Sequence, residues 1–199
     1  WTALGLPFFS AFADITEQIK NTGNGTYTLS EFDVSSIIDN YCPNATNFAG
    51  WSILLVYQND SLPLNQINIY DGLQHVPDEL TIQLNNLNVI DNQDAKIGFL
   101  AWEGDVALSV NESLLINGNL ISNPPLNPGN NAFNGTNSFT NQSNLYNMDM
   151  DFYTIQDNID IGDTSASVQL TSGQDFVMIN TIITKLNSQL PDAIITIDN

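Results

Sequence analysis

The chain has 199 residues, 3 Lys, no Arg, 22 acidic residues and one His, giving a formal net charge of −19. Three cations cannot neutralise a row of phosphates, which excludes nucleic-acid binding, and an anionic membrane surface would repel the chain. Apolar residues at 42% over this length suffice for one ordinary globular core, and cations are the natural small partners of such a surface. The 28 Asn beside 15 Ser, 15 Thr and 12 Gly are turn formers, so short strands joined by many loops are expected.

In chain order, the first element is a short helix over Asp14–Lys20. Asp14 is its candidate N-cap, Glu17 stands at the third position of a capping box, and Ile15 and Ile19 share a face. Gly23-Asn24-Gly25 is a hairpin-type turn, and Thr26–Phe32 alternates after it as a strand. Ser35–Asn40 supports another turn of helix. Asp39–Gly50 is an Asn-rich loop holding Cys42 and Pro43. Trp51–Tyr57 is nearly continuously apolar and reads as a strand buried on both faces. Alternating runs follow at Gln66–Tyr70 and Leu80–Leu84, and Lys96–Trp102 reads as a second central strand. Ser113–Ile116 ends at the turn Asn117-Gly118.

Asn117–Asn147 is a long loop with three Pro, three Gly and eleven Asn; a loop of this length is usually functional or packed on itself. Strands over Asp149–Tyr153, Ser165–Thr171, Phe176–Thr184 and Ala193–Ile197 complete the series. About ten strands at this spacing predict an all-β fold: an antiparallel β-sandwich, jelly-roll-like, with long Asn-rich loops and at most one or two short helices. We expect residues 1–199 to form a single domain. The chain opens at Trp1 without a basic leader, as expected of a piece excised from a longer multidomain protein.

The acidic residues point to calcium as the cofactor. Asn147, Asp149 and Asp151 alternate onto one face of a strand, and Asp157 and Asp160 follow within a turn or two. Hard cations take six to eight oxygens from carboxylates, amides and carbonyls. The spacing is not that of an EF-hand, because Phe152 stands where Gly is required and Asn158 where Glu is required. Glu103 and Asp105 form a second acidic pair beside Trp102 and complete the candidate metal set. The plainer reading is a solvated polar face for the first group and a capped strand end for the second.

No catalytic residue is expected. There is no Gly-x-Ser-x-Gly, no phosphate-cradling Gly-rich loop, and only His75 to serve a triad. Cys42 has no Lys or Arg close in sequence to lower its pKa. One His and one Cys are too few for a transition-metal site.

An ordered series of motifs adds a resemblance. Phe12–Thr16, Gly25–Thr28, Ala49–Tyr57, Leu62–Leu64, Ile69–Gly72, Ala95–Phe99 and Trp102–Asp105 together resemble a module of large secreted surface proteins of Bacteroidetes. Gliding-motility adhesins of flavobacteria are among the proteins the series resembles. Leu190–Ala193 and Ile197–Asn199 resemble that family's exit into a following module. The resemblance implies an extracellular or cell-surface location, export by the type 9 route, and a non-enzymatic role in cell adhesion. Expected partners are an extracellular surface, a glycan or protein ligand, or neighbouring domains of the same protein. Asp39–Gly50 and Asn117–Asn147 are the candidate contact loops, although no individual ligand-binding residue is distinguished. Relatives usually carry further strands upstream, which leaves room for a missing or donated edge strand. Two alternatives stand beside this reading: a structural filament or repeat subunit joined by strand donation, and a carbohydrate-binding module using Trp102.

Overall fold

The computed structural model describes residues 2–77, 79–109, 111–173 and 175–188. The chain divides into two units, Trp1–Val56 and Tyr57–Asn199. The first unit holds a two-residue hairpin, β1 (Thr2–Ala3) with β2 (Leu6–Pro7), and one short helix, α1 (Thr16–Thr22). Aromatic contacts organise it. Phe8 packs edge-on to Tyr41 and stacks on Phe48, and Phe32 packs against both Phe9 and Trp51. The Tyr41 hydroxyl donates to the Pro7 carbonyl.

Helix α1 forms where expected but starts later. Ile15 occupies the N-cap position without a side-chain cap, and the Asp14 carboxylate instead accepts the Thr16 N–H at 2.9 Å. Glu17 does not close a capping box; it pairs with Lys20 one turn on. Gly23, at φ +64°, ends the helix rather than opening a hairpin. Ser35–Asn40 yields a turn and a 3₁₀ helix over Ile38–Asn40, followed by another over Cys42–Asn44.

Two expected strands do not form. Thr26–Phe32 and Trp51–Tyr57 have no regular secondary structure, and every residue from Trp51 to Tyr57 is exposed rather than buried on two faces. Apolar content expresses a preference for burial, but a strand also needs a partner for its backbone groups. Among the described residues these segments pair with no strand. The expected strand at Ala193–Ile197 and the motifs after Leu190 lie outside the described residues.

The second unit is the sandwich. One sheet has the order β3 (Asn65–Val76), β10 (Val177–Asn187), β5 (Asp91–Trp102), β8 (Met148–Thr154). The other has the order β4 (Glu79–Asn85), β9 (Ser165–Thr171), β6 (Ser113–Ile116), β7 (Asn119–Ile121). All pairings are antiparallel. Alternation fills the space between the sheets: Ile97, Phe99 and Ala101 of β5 and Ile179, Ile182 and Leu186 of β10 meet Leu114 and Ile116 of β6 and Val168 and Leu170 of β9. The expected all-β sandwich is therefore present, with seven of the strands read from sequence in place.

Strand β5 is buried on both faces over Ile97–Ala101. Its outer face is covered in part by Phe152, whose ring lies where a Cβ on Gly98 would sit, 2.4 Å away. Phe139 packs edge-on to that ring at 4.6 Å, which seats part of the long Asn-rich segment against the outside of the sheet. At one end of the sandwich, β5 finishes, β6, β8 and β10 begin, and three connections converge: residues 103–112, 122–147 and 172–176.

Candidate functional site: a buried acidic cluster at one end of the sandwich

Among the described residues, five carboxyl groups are buried at this end. Glu103 is 8% exposed, Glu112 0%, Asp149 1%, Asp151 2% and Asp175 7%. Glu112 precedes β6 with the parity of Leu114 and Ile116, so alternation turns it inward with them. Asp149 and Asp151 share the inward parity of β8 with Tyr153, while Met148, Met150 and Phe152 take the outer face. The expected common face of Asp149 and Asp151 is thus real, but it faces the interior and not solvent.

Glu103 follows the end of β5 with φ +68°, and its N–H donates to the Asn147 carbonyl at 2.9 Å. Gly104 then lies flat against the cluster. A Cβ there would be 2.1 Å from Asp149 Oδ2 and 2.7 Å from the Phe133 carbonyl carbon.

The cluster has two halves. In the first, Asp149 Oδ1 accepts the backbone N–H of Asn134 at 2.9 Å and of Thr136 at 3.1 Å. Asp151 Oδ2 accepts the Thr136 hydroxyl at 2.8 Å and the Asn127 amide at 3.0 Å. Asn134 adds a side-chain bond to the Leu126 carbonyl. These bonds fasten the long segment to β8. Burial raises the pKa of Asp149 to about 7, against the N–H groups of Thr136, Asn134 and Gly135, with the Asp151 charge adding to the rise. Asp151 is also raised, by burial, against donors from Thr136, Asn127 and Ser138.

In the second half, Asp175 accepts the Phe176 N–H at 2.8 Å on one oxygen and the Asp105 N–H at 3.1 Å on the other. Glu103 and Glu112 both feel the Asp175 carboxylate. Burial first, then the Asp175 hydrogen bond and charge, pushes Glu103 up to about 9, with Asp105 adding to the rise and the Phe176 N–H opposing it. Glu112 is pushed up to about 9 by burial, Asp175 and Asp149. The Phe133 N–H favours its charged form without reaching hydrogen-bond geometry.

Several oxygens at this end meet no donor. Both oxygens of Glu112, one each of Glu103, Asp149 and Asp151, and the amide oxygens of Asn127 and Asn131 are buried without one. The lysine ion pairs among the described residues lie elsewhere: Lys20 with Glu17, and Lys96 and Lys185 with Asp94. Among the described residues, no three of the His, Cys, Asp and Glu side chains already stand as a group that could hold a metal ion.

The sequence-predicted metal residues are only partly brought together. Glu103, Asp149 and Asp151 are in the cluster, and Asp105 joins it through its backbone. Asn147 stands at its rim, exposed, contributing a carbonyl to Glu103. Asp157 and Asp160 lie past the far end of β8, a strand about 20 Å long, exposed and separate from the cluster. Sequence reading missed Glu112, Asp175, Asn127, Asn131, Asn134 and Thr136. For Glu112 the signal was available, since an acid two residues before an alternating apolar strand carries core parity. The others depend on how the long segment folds back.

The remaining candidates show ordinary chemistry. Cys42 is exposed. His75 stacks on Phe176 at 4.5 Å, and burial lowers its pKa. Lys96 is half exposed and paired with Asp94 at 3.5 Å, as for a lysine at a strand surface. Trp102 is half-buried, in register between Met148 and Met178.

No protein-family model matches the chain, and no curated protein matches it. Solved structures with a similar chain path include BuGH86 in complex with neoagarooctaose, as wild type and as a point variant. Each has 16% identity and a TM-score of 0.39, covering 63% of this chain and 19% of that one. Dimeric latent PorU from Porphyromonas gingivalis has 10% identity and a TM-score of 0.39, covering 61% of this chain and 12% of that one. The chain thus corresponds to less than a fifth of each of these proteins.

Proposed function

We propose that the chain is a non-enzymatic binding module of a cell-surface protein, in which the sandwich holds the Asn117–Asn147 segment as a fixed contact surface. One observation carries the reading. The segment is fastened from below by the Asp149, Asp151, Thr136, Asn127 and Asn134 network, while Phe139 and Tyr146 stand out from it at 68% and 81% exposure. Exposed aromatic rings on a rigid support supply contact area at low entropic cost, which suits a glycan or protein ligand. The buried state of Glu103 and Glu112 argues against glycoside hydrolysis, because an acid pair must reach the scissile bond. The cell-surface and adhesive part of the reading rests on the sequence resemblance, and with it the type 9 export route and the link to gliding.

Adhesion of the isolated protein to immobilised glycans and to cell-surface protein tests this. Phe139→Ser with Tyr146→Ser should weaken binding at least about tenfold in a protein that still folds, with a lower unfolding midpoint from loss of the Phe139–Phe152 contact. Unchanged adhesion by a folded double variant would sink the proposal.

A second reading, strand donation between copies, is favoured by Trp51–Tyr57. This apolar segment of high strand propensity is exposed throughout and unpaired among the described residues. Concentration-dependent oligomers that Leu55→Lys abolishes would support it; a monomer at every concentration would exclude it.

A further inference from the structure

We propose that Glu103, Glu112 and Asp175 bind a hard divalent cation, calcium by its chemistry, at the end of the sandwich beneath the long Asn-rich segment. Glu112 and Asp175 thereby join the acids named from sequence, and Asp157 and Asp160 drop out. The cation site is independent of the adhesive reading.

Geometry is the ground for this site. Glu103 and Glu112, at the two ends of the β5–β6 connection, meet Asp175 from the connection before β10 in the interior, and none of the lysine ion pairs of the described residues reaches them. Glu112 is fully buried, approaches Asp175, and has no donor on either oxygen. A buried carboxylate without partners is costly, and two agents can compensate it: a proton or a metal ion. Backbone N–H groups donate to both oxygens of Asp175 and fix its orientation. Oxygen donors of the kind calcium prefers surround the group. Asn131 is bridged to Glu112 through the backbone and buries its amide oxygen without a donor, and Asp149 Oδ2 is likewise free on the side facing Gly104. As they stand, these oxygens do not converge on a single point. Binding requires Glu103 and Glu112 to turn about their side-chain torsions until their oxygens converge on the ion. Occupancy would tie the β5–β6 connection to Asp175 and, through the Glu112–Asn131 bridge, brace the base of the segment that Asp149 and Asp151 already hold.

The probe is calcium alone, added to protein stripped with a chelator. At about a hundredfold excess over Kd, the unfolding midpoint should rise by about 5–10 °C. Glu112→Gln removes one charge at nearly constant volume. It should weaken calcium binding at least about tenfold while the metal-free midpoint stays the same or rises. Asp160→Asn, on the distant loop, should leave the calcium response intact. Crystals soaked in terbium give a readout independent of variant folding: anomalous scattering should place the ion on Glu103, Glu112 and Asp175. An ion on other residues, no rise in midpoint with calcium, or a full calcium response in Glu112→Gln would each overturn the proposal.

Discussion

Replacing Gly104 by alanine is the sharpest test of how the end of the sandwich is packed. The added Cβ would lie 2.1 Å from Asp149 Oδ2, 2.7 Å from the Phe133 carbonyl carbon and 2.8 Å from its oxygen. Comfortable contacts lie at about 3.5–4.0 Å, so the overlap is about an ångström or more. The Asp149 carboxylate has little freedom to yield, because the Asn134 and Thr136 N–H groups hold its other oxygen. Phe133 offers only backbone on this side. Overpacking typically costs about 1–3 kcal/mol, and a contact against backbone and a pinned carboxylate belongs at or above the top of that range. At about 2–4 °C per kcal/mol for a chain of this size, the midpoint should fall by about 6–12 °C. Urea and thermal unfolding in chelator measure it. Gly72→Ala is the control: no atom lies within 4 Å of its Cβ position, so its effect should stay within about 0.5 kcal/mol. A loss below about 1 kcal/mol for Gly104→Ala would refute the close packing of residues 103–105 on Phe133 and Asp149.

Two further outcomes follow from the same cluster. In chelator, stability should fall as pH rises from about 5 to about 8.5. The folded values of Glu103 and Glu112 are raised to about 9, so the folded chain keeps protons there that the unfolded chain has released, and the difference grows with pH. Asp149, raised to about 7, reinforces the trend; Asp175 and Asp105 also face these groups, and His75, stacked on Phe176, is a base on the adjoining strand β3. Flat or rising stability across this range in urea titrations would contradict the assignment. Thr136→Val removes the hydroxyl that donates to Asp151 and receives the Asn127 amide at 2.6 Å. Stranding those buried groups should cost about 2–3 kcal/mol by urea titration, and a loss under about 0.5 kcal/mol would show that the network does not hold the segment.

Alternation along the chain determined much of this architecture by itself. Period-two patterns located β3, β4, β8 and β9, because each of those strands has one face against the core and one away from it, and a nearly continuous apolar run located β5, which is buried on both faces over Ile97–Ala101. Asn117-Gly118 marked the turn between β6 and β7, where Asn117 takes φ +48° and Gly118 φ +80°. The same rule placed Asp149 and Asp151 on one face, but a pattern of residues carries no sign of inward or outward when both faces hold apolar or polar candidates. Met148, Met150 and Phe152 have the composition of a core face. Only the sheet shows that Phe152 covers Gly98 from outside and that the two aspartates point inward.

Tertiary structure also decided against strands at Thr26–Phe32 and Trp51–Tyr57, since a ladder is completed by a distant partner that local sequence does not specify. It alone assembled the acidic cluster. Glu103, Glu112, Asp149 and Asp175 are separated by up to 72 positions and meet because β5, β6, β8 and β10 all start or stop at one end of the sandwich. The sequence supplied the charge and the inward parity of the acids; the convergence of three connections supplied their proximity, and with it the burial that makes a partner necessary.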